Sequence, residues 1–389
     1  MKNPLRTPGV LLIAATMAAS LSAAAVPKEY DVYFGTYTNA RTASKGIYRA
    51  RLEVATGKLS PAEVAAECKD PAFLAVHPNG KILYAIDESS DPAKRPGKGL
   101  AAYGIAARTG VLTLLNEQSN GGPGPCHLTV DAEGKCVLVA NYGGGSVAAV
   151  ALLPDGRLGA PGTFVQHTGS SVNPARQKEP HAHAVALSPD QRFVLAADLG
   201  LDQVLVYRLD AAKAGLRAHD PAFAKLPPGS GPRHLAFHPG GKFLYVINEM
   251  LCTMAVLAWD AARGTLSEVQ TISTLPPGET VKPGTSTAEL AVHPSGKFLF
   301  GSNRGHHSIV VYAIDAATGR LTHVENQPTQ GRTPRHFAVD PTGAWLLAEN
   351  QDSGTVVVFA IDAKTGRLTP TGQSLAVPAP VSAVFVAVQ

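Results

Sequence analysis

The sequence predicts an all-β fold, a seven-bladed β-propeller whose blades each contain four antiparallel strands. One blade is completed jointly by the N- and C-terminal strands, which closes the ring. Three observations carry this. A short strand, a tight Pro/Gly turn and a second apolar strand recur six times at intervals of 47 to 57 residues, the length of a propeller blade rather than a helical solenoid unit. Glycine (38) and proline (30) are spread evenly and only 16% of residues are charged, a composition of many short strands and turns. The two ends of the chain then read as halves of one missing unit.

Taken in order, the turns are Val76-His-Pro-Asn-Gly-Lys81, Val130-Asp-Ala-Glu-Gly-Lys135, Leu187-Ser-Pro-Asp-Gln-Arg192, Phe237-His-Pro-Gly-Gly-Lys242, Val292-His-Pro-Ser-Gly-Lys297 and Val339-Asp-Pro-Thr-Gly-Ala344. Each is turn chemistry between apolar runs. A third strand follows and ends in a turn best formed at Asp315-Ala-Ala-Thr-Gly-Arg-Leu321 and Asp362-Ala-Lys-Thr-Gly-Arg-Leu368, with variants at Val54-Ala-Thr-Gly-Lys-Leu59 and Asp260-Ala-Ala-Arg-Gly-Thr-Leu266. A less regular fourth strand leads to the next copy. Residues 380–388 look like a first strand with nothing after it, and 30–38 like a second with nothing before it. Pairing them removes the open sheet edges.

The first 25 residues are expected to be a signal peptide. Lys2 and Arg6 precede an apolar stretch over 10–19, and Ala23-Ala24-Ala25 offers a cleavage site. That leaves a single domain over 26–389, exported to the periplasm or secreted, with no membrane association after cleavage. The net charge of +4 without a lysine or arginine run speaks against a nucleic-acid partner. Cys68, Cys126, Cys136 and Cys252 have no C-x-x-C or zinc-ligand spacing. One bridge is possible, with no pairing indicated.

Because first and second strands are antiparallel, the start of one and the end of the other share one end of the blade. The His-Pro-x-Gly turns, with His77, His238 and His293, face the other end as scaffold. Seven residues after each turn's fifth position stand Asp87, Asn141, Asp198, Asn248, Asn303 and Asn350. One residue type in every blade implies a repeated structural task, bonding to loop backbone. The next column varies: Glu88, Tyr142, Leu199, Glu249, Arg304 and Gln351. On the first strand, Ala72, Cys126, His183, Arg233, Ala288 and Arg335 are followed by Phe73, His127, Ala184, His234, Glu289 and His336. Varied polar residues at one mouth of a pseudo-symmetric ring point to a site built around His183, Arg233, Glu249, Arg304 and Arg335.

Several arginines facing one cavity suit an anionic ligand, and a glutamate and histidine beside them suit acid–base chemistry. Hydrolysis or formation of a ring ester fits that set, with a cationic or N–H donor for the oxyanion. No G-x-S-x-G elbow is present, and Gly143-Gly-Gly145 opens no predicted helix. His181 with His183, and His306 with His307, are possible metal-ligand pairs that no carboxylate cluster completes. Neither metal nor cofactor is expected.

Gly35-Thr-Tyr-Thr38, Ala140-Asn-Tyr-Gly-Gly-Gly-Ser146, Glu179-Pro-His-Ala-His183, Asp198-Leu-Gly-Leu-Asp202, Gly231-Pro-Arg-His234, Asn248-Glu249 and Ser302-Asn-Arg-Gly305 together resemble the seven-bladed propeller lactonases. That family includes bacterial 6-phosphogluconolactonases and fungal carboxy-cis,cis-muconate cyclases, and the resemblance spans 30–388. It implies a sugar lactone or acidic sugar as substrate. It would place the catalytic histidine, two arginines and glutamate on His183, Arg233, Arg304 and Glu249, with His181 the alternative histidine. His127, His181, His234, Glu289 and Arg335, beside them in the aligned columns and motifs, are expected to contact substrate. Either Glu249 or His183 would activate water. A muconate-type cycloisomerase and a non-enzymatic binding platform are the alternatives. The export signal suggests a lactone without phosphate.

Overall fold

The second strand of each repeat is apolar along its whole length rather than at alternate positions. Phe243–Asn248 and Cys136–Asn141 are buried at every residue, so both faces of each blade need a neighbour. A ring of blades supplies one on each side. The computed structural model describes residues 26–388, and these form seven antiparallel sheets around an axis. The leader expected over 1–25 lies outside the described residues.

In six blades the strands run in chain order from the axis outward, as in Pro232–Phe237, Phe243–Asn248, Thr253–Asp260 and Thr265–Ser273. The innermost strands of blades one to six are Leu74–Val76, Pro125–Val130, Ala182–Leu187, Pro232–Phe237, Ser286–Val292 and Pro334–Val339. The seventh is made as predicted. Pro380–Ala387 is its inner strand, Glu29–Thr36 its second and Gly46–Glu53 its third, with Tyr30 opposite Ala387 and Phe34 opposite Ala383. Its outer strand is split into Lys58–Leu59 and Glu63–Glu67.

The described core separates into seven apolar clusters, one at each junction between neighbouring blades. Phe298, Phe300, Phe337 and Phe359 bind the fifth blade to the sixth. Val32, Phe34, Leu347 and Val358 bind the sixth to the seventh. Exposure rises toward the rim, where Leu368–Ala376 alternates between open and half-buried residues. All four cysteines are free.

The turn histidines are scaffold that reaches between blades. In His293 the Nδ1 atom accepts the Ser295 N–H at 3.1 Å, which puts the ring proton on Nε2, and Nε2 donates to the Gly343 carbonyl of the next blade at 2.9 Å. His238 repeats this with Gly240 N–H (2.9 Å) and Gly296 O (2.9 Å). Gly343 has φ +78°, and a Cβ there would lie 2.5 Å from His293 Nε2, so the close approach needs glycine. Replacing His293 by alanine leaves a carbonyl unpaired between blades. His293→Ala should lower unfolding stability by about 1–2 kcal/mol without changing kcat, checked by denaturant titration beside an activity assay.

Candidate active site

Successive residues of a regular strand point to opposite faces, so Arg233 and His234 should not share one cavity. A β-bulge brings them together. Pro232 pairs with Asn248 and His234 with Ile247, leaving Arg233 as the extra residue. The same irregularity falls on Cys126, His183, Arg335 and Val381, and in the fifth blade it spans Ala288 and Glu289. A bulge re-aims side chains, and here it recurs at the same height around the axis.

The aspartate and asparagine column ties down the loops at this end. Asp198 Oδ1 accepts the N–H groups of His181 (2.8 Å) and Gly200 (2.9 Å), and Asn303 Nδ2 donates to Thr274 O at 2.9 Å. On that frame Glu249 meets three guanidinium groups. Its Oε2 accepts from Arg233 Nε at 3.2 Å and forms an ion pair with Arg304 Nη2 at 2.9 Å, and its Oε1 accepts from Arg176 Nη2 at 2.8 Å. Arg233 also donates to Ala288 O at 2.9 Å and Arg304 to Thr287 O at 2.7 Å. Arg335 is held differently, its guanidinium 5.3 Å from the centre of the Tyr37 ring.

Arg233 and Arg335 line a cavity on the axis together with His183, His234, Tyr37 and Glu88. The free space there is about 10 Å³, room for one water. Its floor is Phe73, whose ring centre lies 4.3, 5.8 and 5.9 Å from those of His127, His234 and His336. Beneath the cavity runs a buried network. His234 Nδ1 meets Glu289 Oε2 at 2.8 Å, and His336 bridges Glu289 (3.3 Å) and Glu349 (2.7 Å). Thus His127 and Glu289 sit under the predicted mouth. His181 stands beside it, stacked on Tyr142 at 4.5 Å with Nδ1 on the Tyr142 carbonyl at 3.0 Å.

Four residues at the site were not singled out from sequence. Tyr37 and Glu88 occupy the varied column that also carries Glu249, and Glu349 precedes an asparagine of the constant column. Arg176 comes from the loop before the third blade, outside the repeat, with no motif to mark it.

A family model described as a seven-bladed β-propeller lactonase matches residues 31–385. The chain belongs to this lactonase family. It is 36% identical to a 6-phosphogluconolactonase of Bacillus subtilis, over 79% of this chain and 84% of that protein. A 6-phosphogluconolactonase of Formosa agariphila is 32% identical, over 79% and 85%. Among solved structures, the periplasmic gluconolactonase of Pseudomonas aeruginosa superposes with a TM-score of 0.85 at 34% identity, covering 93% of this chain and all of that one at 100%.

Charge in this lactonase mouth is unevenly distributed. Burial alone would raise the proton affinity of Glu249, but Arg304, Arg233 and Arg176 outweigh it and hold the carboxyl at about 2. Burial and the charges of Arg335 and Arg304 bring Arg233 down to about 10, still protonated at neutral pH. Burial, then Arg233, keeps His183 well below the usual histidine range and therefore neutral. Glu88 differs from Glu249: burial dominates and pushes its pKa up.

A carboxyl held below its unfolded value stabilises the fold above that value and loses the contribution as pH falls. For Glu249 the window runs from 4.5 down to about 2, worth about 3 kcal/mol. Glu249→Gln should therefore be less stable at neutral pH and should lose part of the fall in stability between pH 5 and 2. Urea titrations of both proteins across that range measure the difference.

Proposed function

We propose that the protein hydrolyses a sugar lactone to its aldonic acid at this mouth. The carrying observation is the guanidinium cluster fixed on Glu249 in a chain of the lactonase family. Ester hydrolysis develops negative charge on the carbonyl oxygen, and preorganised cations stabilise it without reorganising during the step. Arg233 spends Nε on Glu249 and Nη1 on Ala288 O, which leaves Nη2 for the oxyanion. Arg335 contributes a second cation across the same cavity.

In this reading Glu249 is an anchor. Both its oxygens lie in guanidinium bonds and its proton affinity is low, so it accepts a proton from water poorly. Neutral His183 offers a ring nitrogen to orient a substrate oxygen. At the mouth Arg176, Arg233, Arg304 and Arg335 outnumber Glu88 and Glu249, so it favours a lactone or sugar with acidic character. Export, proposed from the leader at 1–25 and consistent with a periplasmic gluconolactonase relative, favours a substrate without phosphate.

The test is acid release from gluconolactone and from its 6-phosphate by the mature chain, corrected for spontaneous hydrolysis. Acceleration of the unphosphorylated lactone is expected, with kcat/KM lowered about 10²–10³-fold in Arg233→Met. No acceleration of either lactone would overturn the reading.

A further inference from the structure

We propose that Glu88 is the base that activates the hydrolytic water, an inference that rests on the lactonase reading. Glu88 stands in the first blade at the column position that Glu249 holds three blades on. The two carboxylates have opposite surroundings. Glu249 is bound by three guanidinium groups, whereas Glu88 makes one side-chain hydrogen bond, Tyr37 Oη donating to Oε2 at 2.9 Å. Its Oε1 has no partner among the described residues. Glu88 is also the one carboxylate lining the axial cavity.

The size of that cavity assigns its content. About 10 Å³ admits a water and no sugar, so the lactone lies above, with its carbonyl carbon facing down. A water there has a carboxylate oxygen on one side and the guanidinium groups of Arg233 and Arg335 on others. Cys126, which shares the cavity wall, is no rival, because burial pushes its thiol pKa far up.

In the step, a water proton passes to Glu88 Oε1 as the water oxygen bonds to the carbonyl carbon. The carbonyl electron pair moves to oxygen and is held by Arg233 and Arg335. Collapse of this adduct re-forms the carbonyl and breaks the ring C–O bond, and the departing alkoxide takes the proton back from Glu88. The product acid then loses its own proton to solvent, and Glu88 ends ionised as it began. Tyr37 is a positioning residue that fixes the Oε2 side.

The groups facing Glu88 are Arg335, Tyr37, Arg233 and Asp70, with Cys126 and His183 across the cavity. Burial raises its pKa while Arg335, the Tyr37 hydroxyl and Arg233 oppose, so the net is above the usual 4.5. A base must be unprotonated, so kcat falls on the acid side as pH drops through this raised value.

The experiment compares wild type, Glu88→Gln, Glu88→Asp and Tyr37→Phe on gluconolactone between pH 4 and 8, with thermal melts and binding of the product aldonate by calorimetry. Glu88→Gln is expected to lose about 10²–10⁴-fold in kcat, with KM and aldonate affinity within about threefold, and to lose the acid limb of the profile. Tyr37→Phe should shift that limb to higher pH. Full kcat with an unchanged acid limb in a folded, aldonate-binding Glu88→Gln overturns the assignment while leaving lactone hydrolysis intact. An inactive wild type overturns the lactonase reading instead. If Glu88→Gln fails to fold, an unmoved acid limb in both Glu88→Asp and Tyr37→Phe overturns the assignment.

Discussion

The pairing of the first described strand with the last holds the mouth together. Tyr30 opposite Ala387 and Phe34 opposite Ala383 turn an open row of sheets into a closed one. Only a closed row gives each buried second strand apolar neighbours on both faces. The site inherits its precision from this closure, because its residues come from all seven blades. Tyr37 follows the terminal strand itself, and Glu88, Cys126, His183, Arg233, Arg304 and Arg335 follow around the circle. Away from the axis each blade packs on its two neighbours in the ring, and at the axis residues of non-adjacent blades meet, as Phe73 does with His234 and His336.

At that place the protein uses two glutamates in opposite ways, and the difference is in their partners. Desolvation acts on both. At Glu249 three guanidinium groups overcome it, and the result is a fixed anion that spaces like charges which would otherwise repel. At Glu88 no ion pair forms among the described residues, desolvation prevails, and the carboxyl stays available to a proton. Environments that separate the proton affinities of two carboxyls are how one site obtains both an electrostatic framework and a base.

The repeat made the architecture legible. Aligned turns gave the blade number, the leftover ends gave the closure, and comparison of columns separated the constant Asp/Asn frame from the varied residues at the mouth. Arg233 and Glu249, sixteen residues apart in sequence, do meet at 3.2 Å. Less legible was depth. His127, His234 and Glu289 follow Cys126, Arg233 and Ala288 of the first-strand column by one residue, and strand alternation says nothing of bulges that turn successive residues inward. Arg176 was hidden because it belongs to a loop with no counterpart in other blades. Without Arg176 the two glutamates of one column look alike, so sequence had no means of telling the anchored one from the free one.

Phe73, wedged among histidines of three blades, has a consequence for turnover. Its ring walls the axial cavity on the side away from the arginines. Hydrolysis of a lactone adds one negative charge to the ligand, and in the proposed reading that carboxylate must depart past the guanidinium groups of the mouth. Under the proposed reading the cations that stabilise the oxyanion also attract the product carboxylate, so accumulated acid competes with the lactone for the mouth.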